Sequence, residues 1–203
     1  VKELIDLGLK DAAIDEFGIV MATLPSNLAP TEAARVPVIG LLAHLDTSPE
    51  VSGKDVKPII HQNYRGGDIK LPGDPNVIIR QSENPILAEK IGEDIVTSDG
   101  TTLLGADDKA GIAEIMSFLS YLQKHPDIKH GTLRIAFTPD EEVGAGTDHF
   151  DVKKFGADFA YTVDGETVGE IEIETFNASA GTFTIHGIIV HPGYAKGKMV
   201  NAI

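Results

Sequence analysis

The sequence predicts an α/β domain in three layers, a sheet covered by helices on both faces, and three observations predict it. Short apolar runs rich in Val and Ile recur at residues 17–24, 36–43, 133–138 and 159–163. These runs are continuously apolar instead of alternating, the pattern of strands buried on both faces. A segment of helical period lies between the second and third of them, and strands interleaved with helices make a layered α/β arrangement.

Taken in order, residues 2–15 carry Leu4, Ile5, Leu9, Ala12 and Ala13 at spacings suited to a first helix, with Gly8 as its weak point. Residues 17–24 read as a core strand ended by Pro25-Ser26-Asn27, and residues 36–43 as a second. Residues 49–92, with Tyr64-Arg65-Gly66-Gly67-Asp68 and Leu71-Pro72-Gly73-Asp74-Pro75, read as long excursions or a hairpin at the rim, outside the core. Residues 109–124 place Ile112, Ile115, Met116, Leu119 and Leu122 on one helical face, and His125-Pro126 stops the pattern. Residues 133–138 and 159–163 complete four core strands. Beyond Asp164 the period changes to two: Ile171 and Ile173, then Phe183, Ile185, Gly187 and Ile189, alternate as half-exposed antiparallel strands do. The expected organisation is a catalytic domain over residues 1–175 and the start of a second over 176–203. Both chain ends look cut, since Val1 is no initiator and residues 199–203 stop on an apolar run.

Composition removes several classes of function. Seventeen basic and 31 acidic residues leave a net charge of −14, which repels nucleic acid and anionic membrane surfaces. With no cysteine there is no disulfide framework, thiolate metal site or cysteine nucleophile, so a metal must be held by His, Asp and Glu. No apolar stretch approaches the ~20 residues that span a bilayer, and a cytoplasmic location is expected. A calcium loop fails because Thr101 and Leu103 stand where Asp99 would need oxygen ligands after it. A phosphate loop fails at Met199, where Ser or Thr is required, and there is no Gly-x-Ser-x-Gly elbow.

The residues just past each core strand carry the chemistry. Residues 36–43 run into His44-Leu45-Asp46, residues 133–138 into Asp140-Glu141-Glu142, and residues 159–163 into Asp164, while Asp107-Asp108 precedes the amphipathic helix. In open α/β sheets ligands bind at the carboxyl ends of strands. Each element has a plain structural alternative: His44 as a satisfied core histidine, Asp107-Asp108 as a helix cap, Glu141-Glu142 as a solvated turn, Asp164 as an ordinary strand-to-turn residue. Convergence favours the functional reading, because five or six acids at one sheet edge repel one another severely unless cations neutralise them. Asp46 suits an outer role, bonding the second imidazole nitrogen of His44, and adjacent Glu141 and Glu142 can divide the work of base and ligand.

The segments His44-Leu45-Asp46-Thr47-Ser48-Pro49, Leu103-Leu104-Gly105-Ala106-Asp107-Asp108-Lys109-Ala110-Gly111, Phe137-Thr138-Pro139-Asp140-Glu141-Glu142-Val143-Gly144 and Val163-Asp164-Gly165 closely resemble the two-zinc metallopeptidase family that includes carboxypeptidase G and succinyl-diaminopimelate desuccinylase, in its tripeptide aminopeptidase branch. The resemblance extends to Asn63-Tyr64-Arg65-Gly66-Gly67-Asp68 and His191-Pro192-Gly193-Tyr194. It implies a three-layer αβα catalytic domain with the start of an inserted α+β lid domain. It implies two Zn2+ ions per subunit in the full-length enzyme, with Asp107 bridging, His44 and Asp164 completing one site and Glu142 holding the other. Glu141 would be the general base toward the activated water, Asp46 would orient His44, and His191 of the lid would polarise the scissile carbonyl, its alternative being a turn histidine before proline. The bond after Asp107 would be cis. The implied reaction releases the N-terminal residue of a tripeptide; short peptides are the implied substrates, and dimeric relatives allow a homodimer. A further histidine ligand belongs to a C-terminal segment outside these residues. The same chemistry would serve a dipeptidase or an N-acyl amino acid deacylase, and the alternative of another class is a non-catalytic acidic metal-binding domain.

Overall fold

The computed structural model describes residues 1–165, 167–175 and 177–202. In chain order its regular elements are helix α1 (Lys2–Asp6), strands β1 (Ala13–Ile14) and β2 (Val20–Leu24), helix α2 (Pro30–Ala33), strands β3 (Ile39–His44), β4 (Ile59–His61), β5 (Ile69–Lys70), β6 (Ile78–Ile79) and β7 (Ile95–Thr97), helix α3 (Ala106–Lys124), strand β8 (Leu133–Thr138), helix α4 (Val152–Phe155) and strand β9 (Phe159–Thr162). The chain divides into two units, Val1–Glu166 and Thr167–Ile203. The domain start expected at residue 176 falls on a residue outside the described set.

The first unit is built on a five-stranded mixed sheet in the order β1-β2-β8-β3-β9, in which β3 runs parallel to both β8 and β9 and β2 antiparallel to β8. Alternation along β8 sends Leu133, Ile135 and Phe137 to one face, where they pack with Leu4, Leu9, Ile115, Leu119 and Leu122. Ala136 points the other way, into a second cluster with Ile19, Met21 and Phe155. Helices thus cover both faces of the inner strands, which is the three-layer α/β arrangement the apolar runs predict, whereas β9, the edge strand, is exposed along its length instead of buried on both faces. Gly40 makes the second layer fit: a Cβ there would stand 2.5 Å from the Phe155 ring.

Register brings the chemistry to one edge. His44 is level with Thr138, Leu42 is level with Thr162, and Val163 donates to Leu42 O at 2.8 Å, so the three parallel strands end side by side.

Two expectations are corrected in this unit. The first helix stops at Asp6 because Gly8 adopts φ +90°, although Leu9 still reaches the core, and Ala13–Ile14 pairs with β2 as a strand. The excursion has a core of its own: β4 pairs with β7 and β5 with β6, around buried Tyr64, Ile69, Leu71 and Leu87. Its many turn residues hide these few apolar positions, which lie too far apart in sequence to show a period.

The second unit also departs from expectation. Among its described residues the alternation over 171–189 does not form a sheet; there is one bridge, Ile188 with Val200, and a 3-10 turn at Pro192–Tyr194. Period two marks a face to be covered, and Ile173, Phe183 and Ile189 are exposed.

Candidate metal centre

His44 is the last residue of β3 and only 3% exposed. Its Nδ1 lies 3.1 Å from the backbone oxygen of Asp46 and 3.3 Å from Asp46 Oδ1. A carbonyl oxygen only accepts, so Nδ1 carries a proton and Nε2 is the nitrogen turned toward the acids. Nε2 sits 2.7 Å from Asp107 Oδ1, 3.8 Å from Asp164 Oδ2 and 3.8 Å from Glu141 Oε2.

Each acid arrives by a distinct local device. The peptide between Asp107 and Asp108 is cis, as the resemblance implies, and both residues leave helical dihedrals, so the regular part of α3 begins after them. Gly111 lets this turn lie against the end of β9, since a Cβ there would fall 1.9 Å from Val163 O. Asp164 follows that strand by two residues. After β8, Asp140 adopts φ +65°, a left-handed conformation that aspartate tolerates better than most residues, and the chain folds back into the 3-10 turn Glu141–Val143. Both carboxylate oxygens of Asp46 accept from this turn, Oδ1 from the Glu141 N–H at 3.2 Å and Oδ2 from the Glu142 N–H at 3.0 Å. Asp46 therefore meets His44 chiefly through its backbone, while its carboxylate holds the turn that carries the two glutamates.

Among the described residues, ligand atoms of His44, Asp107 and Asp164 lie within 4.8 Å of one another. The Glu142 carboxylate is outside that group, and Glu141 stands at its border. His191 belongs to the second unit, where its ring accepts from Gly193 N–H at 3.1 Å and lies near Tyr194.

Charge crowding is visible in the acid–base behaviour. Burial and the charges of Asp108 and Asp107 push the Asp164 carboxyl up to about 6. For His44, burial disfavours the cation, but the Asp107 hydrogen bond and the charges of Asp164, Asp107 and Asp46 outweigh it and raise the imidazole above its ordinary range. Burial works against the charged form of Asp46 as well, yet the two turn amides prevail and hold it below the usual carboxylate range. A site that strains to protonate its own carboxylate and imidazole lacks positive charge. One imidazole and two carboxylates on facing atoms are the donor set that a borderline divalent ion such as zinc, manganese or cobalt accepts. The residues fit a metal.

Two participants carry no signal of their own in the sequence. Asp108, 3% exposed, accepts from the His44 N–H and from the Gly111 N–H, both at 3.1 Å. Lys109 donates from Nζ to Leu45 O at 3.0 Å and Asp46 O at 3.4 Å. Asp108 reads equally as a cap and Lys109 as a solvated helix residue; only their place in the Gly105–Gly111 motif marks them.

Comparison with known proteins shows what the chain is similar to. The chain is 57% identical over 202 residues to peptidase T of Clostridium novyi, a match that takes in all of this chain and 49% of that protein. A tripeptidase from Staphylococcus aureus superposes with a TM-score of 0.57 at 28% identity, covering 82% of this chain and 36% of that one. Aminopeptidase PepT from Bacillus cereus gives a TM-score of 0.57 at 27% identity with the same coverage, 82% and 36%. No protein-family model matches. The chain spans about half the length of the curated relatives it matches.

Proposed function

Because this chain is related over its whole length to peptidase T, we propose that it carries the metal-binding and base-bearing part of a metal-dependent aminopeptidase that removes the N-terminal residue of tripeptides. One observation carries the proposal: His44, Asp107 and Asp164 present ligand atoms within 4.8 Å of one another, with Glu141 Oε2 3.8 Å from His44 Nε2. His44, Asp107 and Asp164 would hold one Zn2+, and Glu142 would serve as a ligand for a second. A bound metal supplies Lewis acidity, polarising the scissile carbonyl and lowering the pKa of a water.

The chain's own groups do the rest. Glu141 is half exposed and faces the ligand group, so its carboxylate takes the proton from the attacking water and returns it to the departing amine. Asp46 fixes where that carboxylate stands, because both turn amides end on it. His44 keeps its proton on Nδ1, against Asp46 O, and presents Nε2 to the site. A cysteine-free composition supports a cytoplasmic setting. Among the described residues no helix is long and apolar enough to cross a membrane.

The test, made on the full-length protein, is hydrolysis of di- and tripeptides and of N-acyl amino acids side by side, with metal content measured before and after chelation. Tripeptide turnover that is lost with zinc and restored with it supports the proposal. Preference for dipeptides or acyl amino acids moves the chain to another activity of the same chemistry, and metal binding without turnover of any of them makes it a non-catalytic metal-binding domain.

A further inference from the structure

The turn that opens α3 grips the chain leaving β3 at successive residues. Asp107 takes the His44 ring at 2.7 Å, Asp108 takes the His44 backbone N–H at 3.1 Å, and Lys109 reaches the next two carbonyls, Leu45 O at 3.0 Å and Asp46 O at 3.4 Å. The last bond that the sheet supplies here is Leu45 N–H to Thr138 O at 2.7 Å. The Leu45 and Asp46 carbonyls lie beyond the ladder and need donors from elsewhere. Asp46 O also takes the His44 Nδ1 proton at 3.1 Å, so whatever holds that carbonyl also holds the imidazole. An ammonium has three donors and no acceptor, which suits two carbonyls on one side of it.

We propose that Lys109 is a positioning residue that, by clasping the Leu45 and Asp46 carbonyls, fixes the tautomer and direction of the His44 ring for metal ligation. This rests on the reading of His44 as a ligand. The alternative, Lys109 as one more surface charge, makes the opposite prediction. On Coulomb grounds, removing a cation from an acidic site tightens metal binding, whereas losing an outer partner of a ligand weakens it by about 10- to 100-fold.

The experiment compares the 203-residue chain with Lys109→Met, which keeps the aliphatic stem, and Lys109→Arg, which keeps charge and donors. Zinc affinity is measured by competition with a chromophoric chelator. The His44 imidazole is followed by 15N NMR in the metal-free protein, and Lys109→Gln replaces K109M if that variant does not fold. Zinc binding weaker by at least about 10-fold in K109M, partial recovery in K109R, and loss of the Nδ1–H signature support the proposal. Unchanged or tighter zinc binding, or an intact Nδ1–H signature in K109M, overturns it. If His44→Ala binds zinc as tightly as the parent, the ligand reading has failed, and the His44 signature still decides whether Lys109 orients the ring.

Discussion

Replacing Asp164 with Asn tests the crowding of charge at the sheet edge directly, through the stability of the metal-free protein. The Asp164 carboxyl titrates near 6 in the folded chain against an ordinary 3.8, for burial and the charges of Asp108 and Asp107 disfavour its anion. Between those values the native state holds more protons than the unfolded one, so stability falls as pH rises. The contribution is fully present below 3.8 and lost as pH passes through about 6. At about 1.4 kcal/mol per pH unit the gap corresponds to about 3 kcal/mol. The side chain is 35% exposed, and screening by solvent lowers the net effect to about 1–2 kcal/mol. His44 adds a loss of the same sign, since its raised pKa also means stability lost as pH climbs; without the Asp164 charge that loss shrinks too. Chelated D164N should therefore melt higher than the parent at about pH 8, by about 2–8 °C for a chain of this size, and the two should converge near pH 4. Excess zinc should reverse the order, stabilising the parent by about 2.7 kcal/mol at a hundred times the dissociation constant and D164N by less. Thermal melts of both proteins from about pH 4 to 8, with chelator and with zinc, supply the data. If the metal-free melts of parent and variant change with pH in parallel, the crowding argument is wrong.

Other outcomes rest on the same geometry. Glu141→Ala should keep its zinc and lose about 10²- to 10⁴-fold in turnover, whereas Glu142→Ala should lose zinc on dialysis; metal analysis beside a tripeptide assay separates the two, and the reverse pattern would exchange the roles. Gly111→Ala must push the start of α3 off Val163 O, 1.9 Å from the new Cβ, and should cost about 1–3 kcal/mol or more together with zinc affinity, as read by urea denaturation and chelator competition. Leu119→Ala, at a fully buried position of α3 remote from the acids, should cost about 2–5 kcal/mol while zinc affinity in the folded protein stays as it was.

The sequence by itself determined what is local. Continuous apolar runs marked β2, β3, β8 and β9 to within a few residues, helical spacing marked α3, and the residues just past the strands marked the edge where His44, Glu141 and Asp164 meet. These features are written in neighbouring positions, as a period or as the residue type after a run, so they can be read without knowing what lies across the sheet. Only the tertiary structure decided what depends on partners distant in sequence. It gave the excursion its own core, left residues 171–189 without a sheet among those described, and sent the Asp46 carboxylate to amides 95 and 96 positions away. It also turned Lys109 inward onto two carbonyls, although nothing in an exposed lysine on a helix announces that contact. The physical reason is that a hydrogen bond or a close approach between separate segments depends on register and packing, and these exist only once the parallel strands have ended side by side.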